Sequence, residues 1–311
     1  MSLQLLGVLL IQKKLKGHIN IPSPISEVST SWTSQYGVQL FLKRDDLIHP
    51  IISGNKWRKL SGILANYHKN AYDSITTYGG AYSNHLIATA AACSIQKIPC
   101  KAIVRGESQA ELNPILKMCR MYGMELEFVT RSKYQKTNRK LGVSDRILFV
   151  PEGGACEEGT HGCREILGEV DLSNINQIYV PCGTGTTLAG MAKYLNLQNH
   201  EIELNGVQVL KGDGYIENEI NSLYGVTGIN IYDHFHCGGY AKTTDDLIFF
   251  IQDFMKQTGV LLDPIYNGKM MFAIYKLLDQ GFINRGQRIL AIHTGGMTGW
   301  FGKFNKVSLD E

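Results

Sequence analysis

Lys56 stands in the run Ser53-Gly54-Asn55-Lys56-Trp57-Arg58-Lys59-Leu60, shortly after Leu42-Lys43-Arg44-Asp45-Asp46-Leu47. A lysine amine becomes a nucleophile or a base when burial or neighbouring cations strip its proton. Taken alone, a lysine at a turn-to-helix junction reads as a solvated surface side chain, and the dipole of a helix start disfavours its charge. Three glycine clusters elsewhere in the chain change that reading. They are Gly79-Gly80-Ala81-Tyr82-Ser83-Asn84-His85, Gly183-Thr184-Gly185-Thr186-Thr187 and His293-Thr294-Gly295-Gly296.

Each cluster follows a short β-rich run: Ser74–Tyr78, Gln177–Val180 and Arg288–Ile292. In open parallel sheets, ligands bind beyond the carboxyl ends of the strands, so three polar glycine turns at such ends define a candidate site. In the second cluster, small residues run into an apolar helix. Free backbone N–H groups at a positive helix end bind a phosphate. The cluster is not a P-loop, because no Gly-Lys-Ser/Thr ending is present. Nor is it a full dinucleotide fingerprint: Gly183 and Gly185 supply two glycines, but Leu188 holds the third place. A compact cradle with Thr184, Thr186 and Thr187 suits a phosphate monoester.

The elements that must position these turns alternate along the chain. Further strands are expected at Lys101–Val104, Leu126–Val129, Ile147–Val150 and Asn205–Val209. Helical spacing marks Trp57–Lys69, Leu86–Ser94, Ala110–Tyr122, Thr187–Asn196, Asp245–Thr258 and Gly268–Asp279. Strand alternating with helix predicts right-handed βαβ units around mostly parallel sheets. Arg131–Asp145 reads as a surface loop or exposed helix. Leu3–Ile11 reads as a first strand or helix packed on the body.

Composition bounds what such a chain can be. Its 311 residues carry a net charge of +3, with 44% hydrophobic and 19% charged residues, the range of a globular protein. The lysines and arginines are scattered, so no nucleic-acid or anionic-membrane footprint is expected. The longest apolar runs fall short of the ~18 residues that span a bilayer. Seven cysteines without a CxxC pair predict unbridged thiols in a reducing cytoplasm and no zinc site. Asp45 and Asp46, after Arg44, read as turn or ion-pair residues. His234 and His236 offer only a weak metal-binding spacing.

Taken in order, these motifs resemble a known family. Lys-Arg-Asp-Asp, Gly-Asn-Lys-Trp-Arg-Lys-Leu, Ser-Asn-His, the Gly/Thr loop, Leu-Leu-Asp-Pro-Ile-Tyr-Asn-Gly-Lys and Ile-His-Thr-Gly-Gly run from Leu42 to Gly296. They are similar to the D-cysteine desulfhydrase and 1-aminocyclopropane-1-carboxylate (ACC) deaminase family. Its enzymes use pyridoxal 5′-phosphate and have the tryptophan-synthase-β-like fold (fold type II). The resemblance implies two open, mostly parallel sheets flanked by helices, with the cofactor in a cleft between two domains. It implies a large domain of 1–57 plus 156–311, an inserted domain of 58–155, and a cytoplasmic homodimer.

Residue by residue, the resemblance implies that Lys56 carries the cofactor and acts as the base at Cα. Asn84 bonds the cofactor's 3-hydroxyl, Gly183–Thr187 hold the phosphate, and Thr294 faces the pyridine nitrogen. Ser83, Asn84 and His85 receive the substrate carboxylate. Tyr266 lies over the substrate, and Tyr240 matches a second tyrosine of the desulfhydrase pattern. Ser83, Tyr240 and Tyr266 stand with Lys56 as catalytic residues. A neutral threonine partner leaves the pyridine nitrogen largely unprotonated, a weaker electron sink that suits β-elimination.

Substrate choice turns on two further places. The triplet ends in His85, as in the desulfhydrases, where the deaminases carry Gln. The second tyrosine that the deaminases use in ring opening falls, by position, on Ala291. The expected activity is therefore D-cysteine breakdown to pyruvate, sulfide and ammonia. The alternatives are ACC deaminase activity, giving 2-oxobutanoate and ammonia, and a non-catalytic cofactor-binding protein. Three departures from the desulfhydrases are the Gly-Thr-Gly-Thr-Thr loop, Asn267 in place of a threonine after the motif tyrosine, and a somewhat short chain.

Overall fold

Gln177–Cys182 is buried at all six positions, the signature of a strand covered on both faces. That strand, β8, lies inside a six-stranded sheet of order β1-β2-β11-β8-β9-β10. The others are β1 (Ile25–Val28), β2 (Gln39–Lys43), β9 (Glu203–Gln208), β10 (Asn230–Tyr232) and β11 (Arg288–Ile292). Only the β1–β2 pair is antiparallel. A second sheet of five strands has the order β5-β4-β3-β7-β6. It is built from β3 (Ser74–Gly80), β4 (Cys100–Arg105), β5 (Glu125–Val129), β6 (Gly142–Ser144) and β7 (Ile147–Val150). Only β6–β7 is antiparallel there. The structure, a computed structural model, describes residues 7–8, 11, 15, 17–107, 111–136 and 142–301.

Helices cover both sheets, as βαβ connection requires. In chain order they are α1 (Ser31–Tyr36), α2 (Asn55–Lys69), α3 (Asn84–Gln96), α4 (Pro114–Met121), α5 (Arg131–Lys136), α6 (Glu157–Gly168), α7 (Thr186–Gln198), α8 (Tyr215–Tyr224), α9 (Asp245–Thr258), α10 (Asn267–Asp279) and α11 (Thr298–Phe301). All seven strand expectations and all six helix expectations fall on observed elements. The helix expected from Ala110 begins instead at Pro114, where Asn113 caps it by accepting from Leu116 N–H. Ala110 itself lies outside the described residues. Of Arg131–Asp145, α5 is a short helix and β6 an edge strand, while 137–141 lie outside the described residues. Of Leu3–Ile11, only Gly7, Val8 and Ile11 are described; they are helical, with Val8 and Ile11 buried.

One core cluster fills the five-stranded sheet and its helices, and includes Trp57, Leu60, Ile63 and Leu64 of α2. Two more cover the six-stranded sheet, one with α9 and α10 and one with α6, α7 and α8. Helix α6 was not evident in the sequence, because Gly159, Gly162 and Gly168 depress helix propensity. Their use is proximity. A Cβ on Gly162 would lie 1.8 Å from Arg58 O of α2, and one on Gly62 of α2 would lie 1.9 Å from Glu158 O of α6. On the other side, a Cβ on Gly190 of α7 would lie 2.7 Å from Thr160 O. α6 thus clamps the helix carrying Lys56 to the helix that follows the Gly/Thr loop.

Candidate active site

The turns after β3 and β11 and the start of α2 line one cavity, and the turn after β8 reaches it through Asn55 and Thr187. Lys56, Asn84, Tyr266, Thr294 and Asn55 all line it. The convergence is fixed by backbone. Gly54, the residue before α2, has φ +62, and a Cβ there would lie 1.7 Å from Thr294 O. Only glycine allows that approach. Asn55 N–H then donates to the same carbonyl at 3.1 Å.

Lys56 is walled in. Burial, followed by the positive charge of Lys59, lowers its amine from 10.5 to about 7. Its Nζ donates to Asn55 Oδ1 at 3.0 Å, and Asn55 Nδ2 donates to Thr187 Oγ1 at 3.1 Å. Asn55 therefore ties the amine to the Gly/Thr loop, a link that sequence reading missed.

That loop leaves β8 at Gly183 and enters α7 through Gly185, whose φ is +71. Thr184 and Thr186 hydroxyls lie 3.0 Å apart, and Thr186 meets Tyr224 OH at 2.8 Å. Lys59, one helical turn beyond Lys56, donates to Thr184 Oγ1 at 3.1 Å and to Gly153 O at 2.9 Å. No carboxylate pairs with it among the described residues, and burial lowers its pKa. A buried lysine with no carboxylate partner, beside a positive helix end, could hold an anion. The donor set fits a phosphate monoester. Lys59 was also missed, although its i+3 spacing from Lys56 was visible.

Ser83 caps α3, its Oγ accepting from His85 N–H and Leu86 N–H at 3.2 and 3.3 Å. Asn84, the first residue of α3, faces Gly296, where a Cβ would lie 2.8 Å from its Nδ2. The His85 side chain does not join them. It is buried, with Nε2 against Thr77 Oγ1 at 2.8 Å and Nδ1 without a partner. Burial and the charges of Lys56 and Lys59 hold its pKa down at about 3, so it is neutral. The His85 side chain is thus not free to make the contact expected of it. Ala291 is corrected as well: it is fully buried in β11, with Leu42 and Tyr179 beside it in the sheet, and lines no part of the cavity. Its lack of a hydroxyl does not discriminate between substrates.

Tyr266 and Tyr240 meet edge to face, with ring centroids 6.2 Å apart. Tyr266 also covers the first glycine of the Gly/Thr loop, since a Cβ on Gly183 would lie 3.1 Å from its ring. Burial, then Tyr240, pushes the Tyr266 hydroxyl well above its usual pKa, so it keeps its proton. Burial also raises Tyr240.

A polar core lies behind Thr294. Asp263 Oδ1 accepts from Ile265 and Tyr266 N–H, and Oδ2 from Asn267 N–H and Nδ2. Asn267 Oδ1 accepts from Thr294 N–H at 2.9 Å and Thr294 Oγ1 at 3.2 Å. Asp45 and Asp46 prove to be ion-pair residues. Asp45 joins Arg58, Glu169 and Lys43 in a buried network, and Asp46 pairs with Arg44. Among the described residues, no group of three or more His, Cys, Asp or Glu could hold a metal ion.

Comparison with known proteins finds relatives over most of the chain. The family described as pyridoxal-phosphate dependent enzyme matches residues 22–295. A putative 1-aminocyclopropane-1-carboxylate deaminase of Pyrococcus furiosus is 30% identical, over 87% of this chain and 88% of its own. The bifunctional D-cysteine desulfhydrase/1-aminocyclopropane-1-carboxylate deaminase, mitochondrial, of Arabidopsis thaliana is 29% identical, over 93% and 80%. The crystal structure of an ACC deaminase homologue superposes with a TM-score of 0.77 at 26% identity, covering 98% of each chain.

Proposed function

Because this chain belongs to the family of pyridoxal-phosphate-dependent enzymes, we propose that its Lys56 cavity removes a β-substituent from a small amino acid, D-cysteine foremost. The overall change is D-cysteine plus water to pyruvate, hydrogen sulfide and ammonia. One observation carries the reading: Tyr266, a phenol that keeps its proton, lines the same cavity as a lysine amine that titrates near neutrality, with Tyr240 edge to face against it.

Pyridoxal phosphate, when bound, supplies the electron sink that weakens bonds at the amino acid's Cα. Thr184, Thr186, Thr187, the amides of Gly183–Thr187 and the Lys59 ammonium would hold its phosphate. Asn84 would hold its 3-hydroxyl, and Thr294 its ring nitrogen. The N-terminal turn of α3, with Ser83, Asn84 and the His85 amide, offers its positive end to the substrate carboxylate. Lys56 Nζ takes the Cα proton, which an amine poised near pH 7 does well. Tyr266, or Tyr240 through it, gives a proton to the departing sulfur. We place the chain in the cytoplasm as a homodimer, with 58–155 as a domain inserted into 1–57 plus 156–311. Seven unbridged cysteines support a reducing compartment. Among the described residues, no helix is long and apolar enough to cross a membrane.

The second reading, ACC deaminase, is favoured by the name of the Pyrococcus furiosus relative. A panel of D-cysteine, L-cysteine and ACC on cofactor-saturated protein separates the two: pyruvate with sulfide supports the first, 2-oxobutanoate the second. Tyr266→Phe should lower turnover of the preferred substrate about 100-fold or more while the visible cofactor absorbance stays. Equal loss of both would remove Tyr266 from the reaction.

A further inference from the structure

Tyr240 sits in a turn whose backbone most side chains avoid. Cys237, Gly238, Gly239 and Ala241 have φ of 51°, 90°, 112° and 54°. Two of these residues carry a Cβ, which the left-handed region disfavours. Such backbone persists only where the surrounding structure fixes it, and it gathers at functional sites. The outer face of the turn offers no packing of that kind. Gly238, Gly239 and Tyr240 line a second cavity there, with Lys211, Tyr215 and Lys242, and the Tyr240 side chain is half-exposed.

Part of the turn is shaped by its own bonds. Gly238 N–H donates to His236 Nδ1 at 3.0 Å, Gly239 N–H to His236 O at 3.0 Å, and Lys242 N–H to Gly239 O at 3.1 Å. These bonds are local and do not tie the turn to the body of the protein. Lys269 does. Its side chain is fully buried, and its Nζ donates to Gly239 O at 2.8 Å. The atoms settle the direction of this bond, because a backbone carbonyl only accepts.

Lys269 belongs to the first turn of α10, three residues after Tyr266. That helix start is itself fixed. Asp263 Oδ2 accepts from Asn267 N–H at 2.9 Å, and a Cβ on Gly268 would lie 2.7 Å from Asp263 O. One helix start thus presents Tyr266 to the Lys56 cavity and grips the turn whose Tyr240 ring meets that of Tyr266.

We propose that Lys269 is a positioning residue: by holding Gly239 O it keeps Tyr240 against Tyr266 and so sets the second phenol of the site. This rests on the reading above, in which the two phenols deliver a proton to the departing group. Lys269 does not line the Lys56 cavity, so its effect on the reaction passes through Tyr240. Placement matters there, since a displacement of about 1 Å at a catalytic group can lower a rate ~100-fold.

The test compares cofactor-saturated wild type, Lys269→Met, Tyr240→Phe and the double variant, reading kcat and the visible cofactor absorbance. Lys269→Met keeps the length and loses the donor. It should lower kcat about 10-fold or more while the absorbance stays. In the Tyr240→Phe background the same substitution should lower kcat by less than about 2-fold, because the hydroxyl it positions is already gone. An unchanged kcat in Lys269→Met overturns the proposal. So does an equal loss in both backgrounds, which is what a general packing role would give. Hydrogen exchange of the wild-type holoenzyme needs no variant to fold. The amides of Gly239 and Lys242 should be protected, and exchange at the rate of an open chain overturns the proposal. Wild-type turnover by Tyr240→Phe would overturn the role given to Tyr240 itself, and the proposal with it.

Discussion

Lys56 and Lys59 stand one helical turn apart, and burial, then the charge of Lys59, loosens the hold of Lys56 on its proton. An anion at the start of α7 would offset the charge of Lys59 and leave Lys56 the group that titrates. The reactive form of Lys56 is the neutral amine, and its share grows as pH rises through the pKa. Uptake of pyridoxal phosphate by the apoenzyme should therefore speed up as pH passes about 7 and level off above it. Stopped-flow absorbance would follow this, with Lys56→Ala as the control that shows no uptake band. A rate that climbs on toward 10.5, the value of an ordinary lysine, would mean that Lys56 is solvated in the apoenzyme.

At the scale of elements, the site depends on helices that touch through backbone. α6 meets α2 at Gly162, where even a methyl group would sit 1.8 Å from Arg58 O. The same helix ends at Gly168, where a methyl would meet only Tyr194 at 3.5 Å, ordinary contact. One substitution thus has two outcomes on one helix. Gly162→Ala must push α2 and α6 apart and should cost about 1–3 kcal/mol or more, with weakened cofactor retention. Gly168→Ala should be neutral or slightly stabilising, because alanine loses less backbone entropy than glycine. Thermal unfolding of both variants checks the contrast, and equal melting temperatures would remove the helix clamp. The buried network of Asp45, Arg58, Glu169 and Lys43 holds the same end of α2. Burial disfavours each of these charges singly, and the pairing restores them.

At the scale of the molecule, the two sheets meet where their strand ends face the start of α2. Residues from Lys56 to Gly296 close on one cavity across 240 positions of chain. Ligand in that cavity bonds the folded state and finds no such site in the unfolded chain. Pyridoxal phosphate at a hundredfold excess over Kd should therefore add about 2.7 kcal/mol of stability. In a chain of this size that is a rise of about 4 °C in Tm, read by calorimetry. Pyridoxal, which lacks the phosphate, should give a much smaller rise. Equal shifts would mean that the Lys59 and Gly/Thr cradle binds no phosphate.

What the amino-acid sequence determined by itself was local. The Gly/Thr turn was legible because a strand, a glycine pair and a helix start are contiguous, and a short segment suffices to aim its N–H groups. The βαβ alternation was legible for the same reason, since period and burial are written into neighbouring residues. Lys59, Asn55 and Asn267 were not assigned, because their partners lie far away in sequence: Thr184, Thr187 and Thr294. α6 was hidden because its glycines lower helix propensity, and only two neighbouring helices explain them. His85 and Ala291 carried substrate arguments in sequence, but packing turned both side chains into the core. The tertiary structure alone decided which polar groups are buried together, and burial is what sets an amine near neutrality.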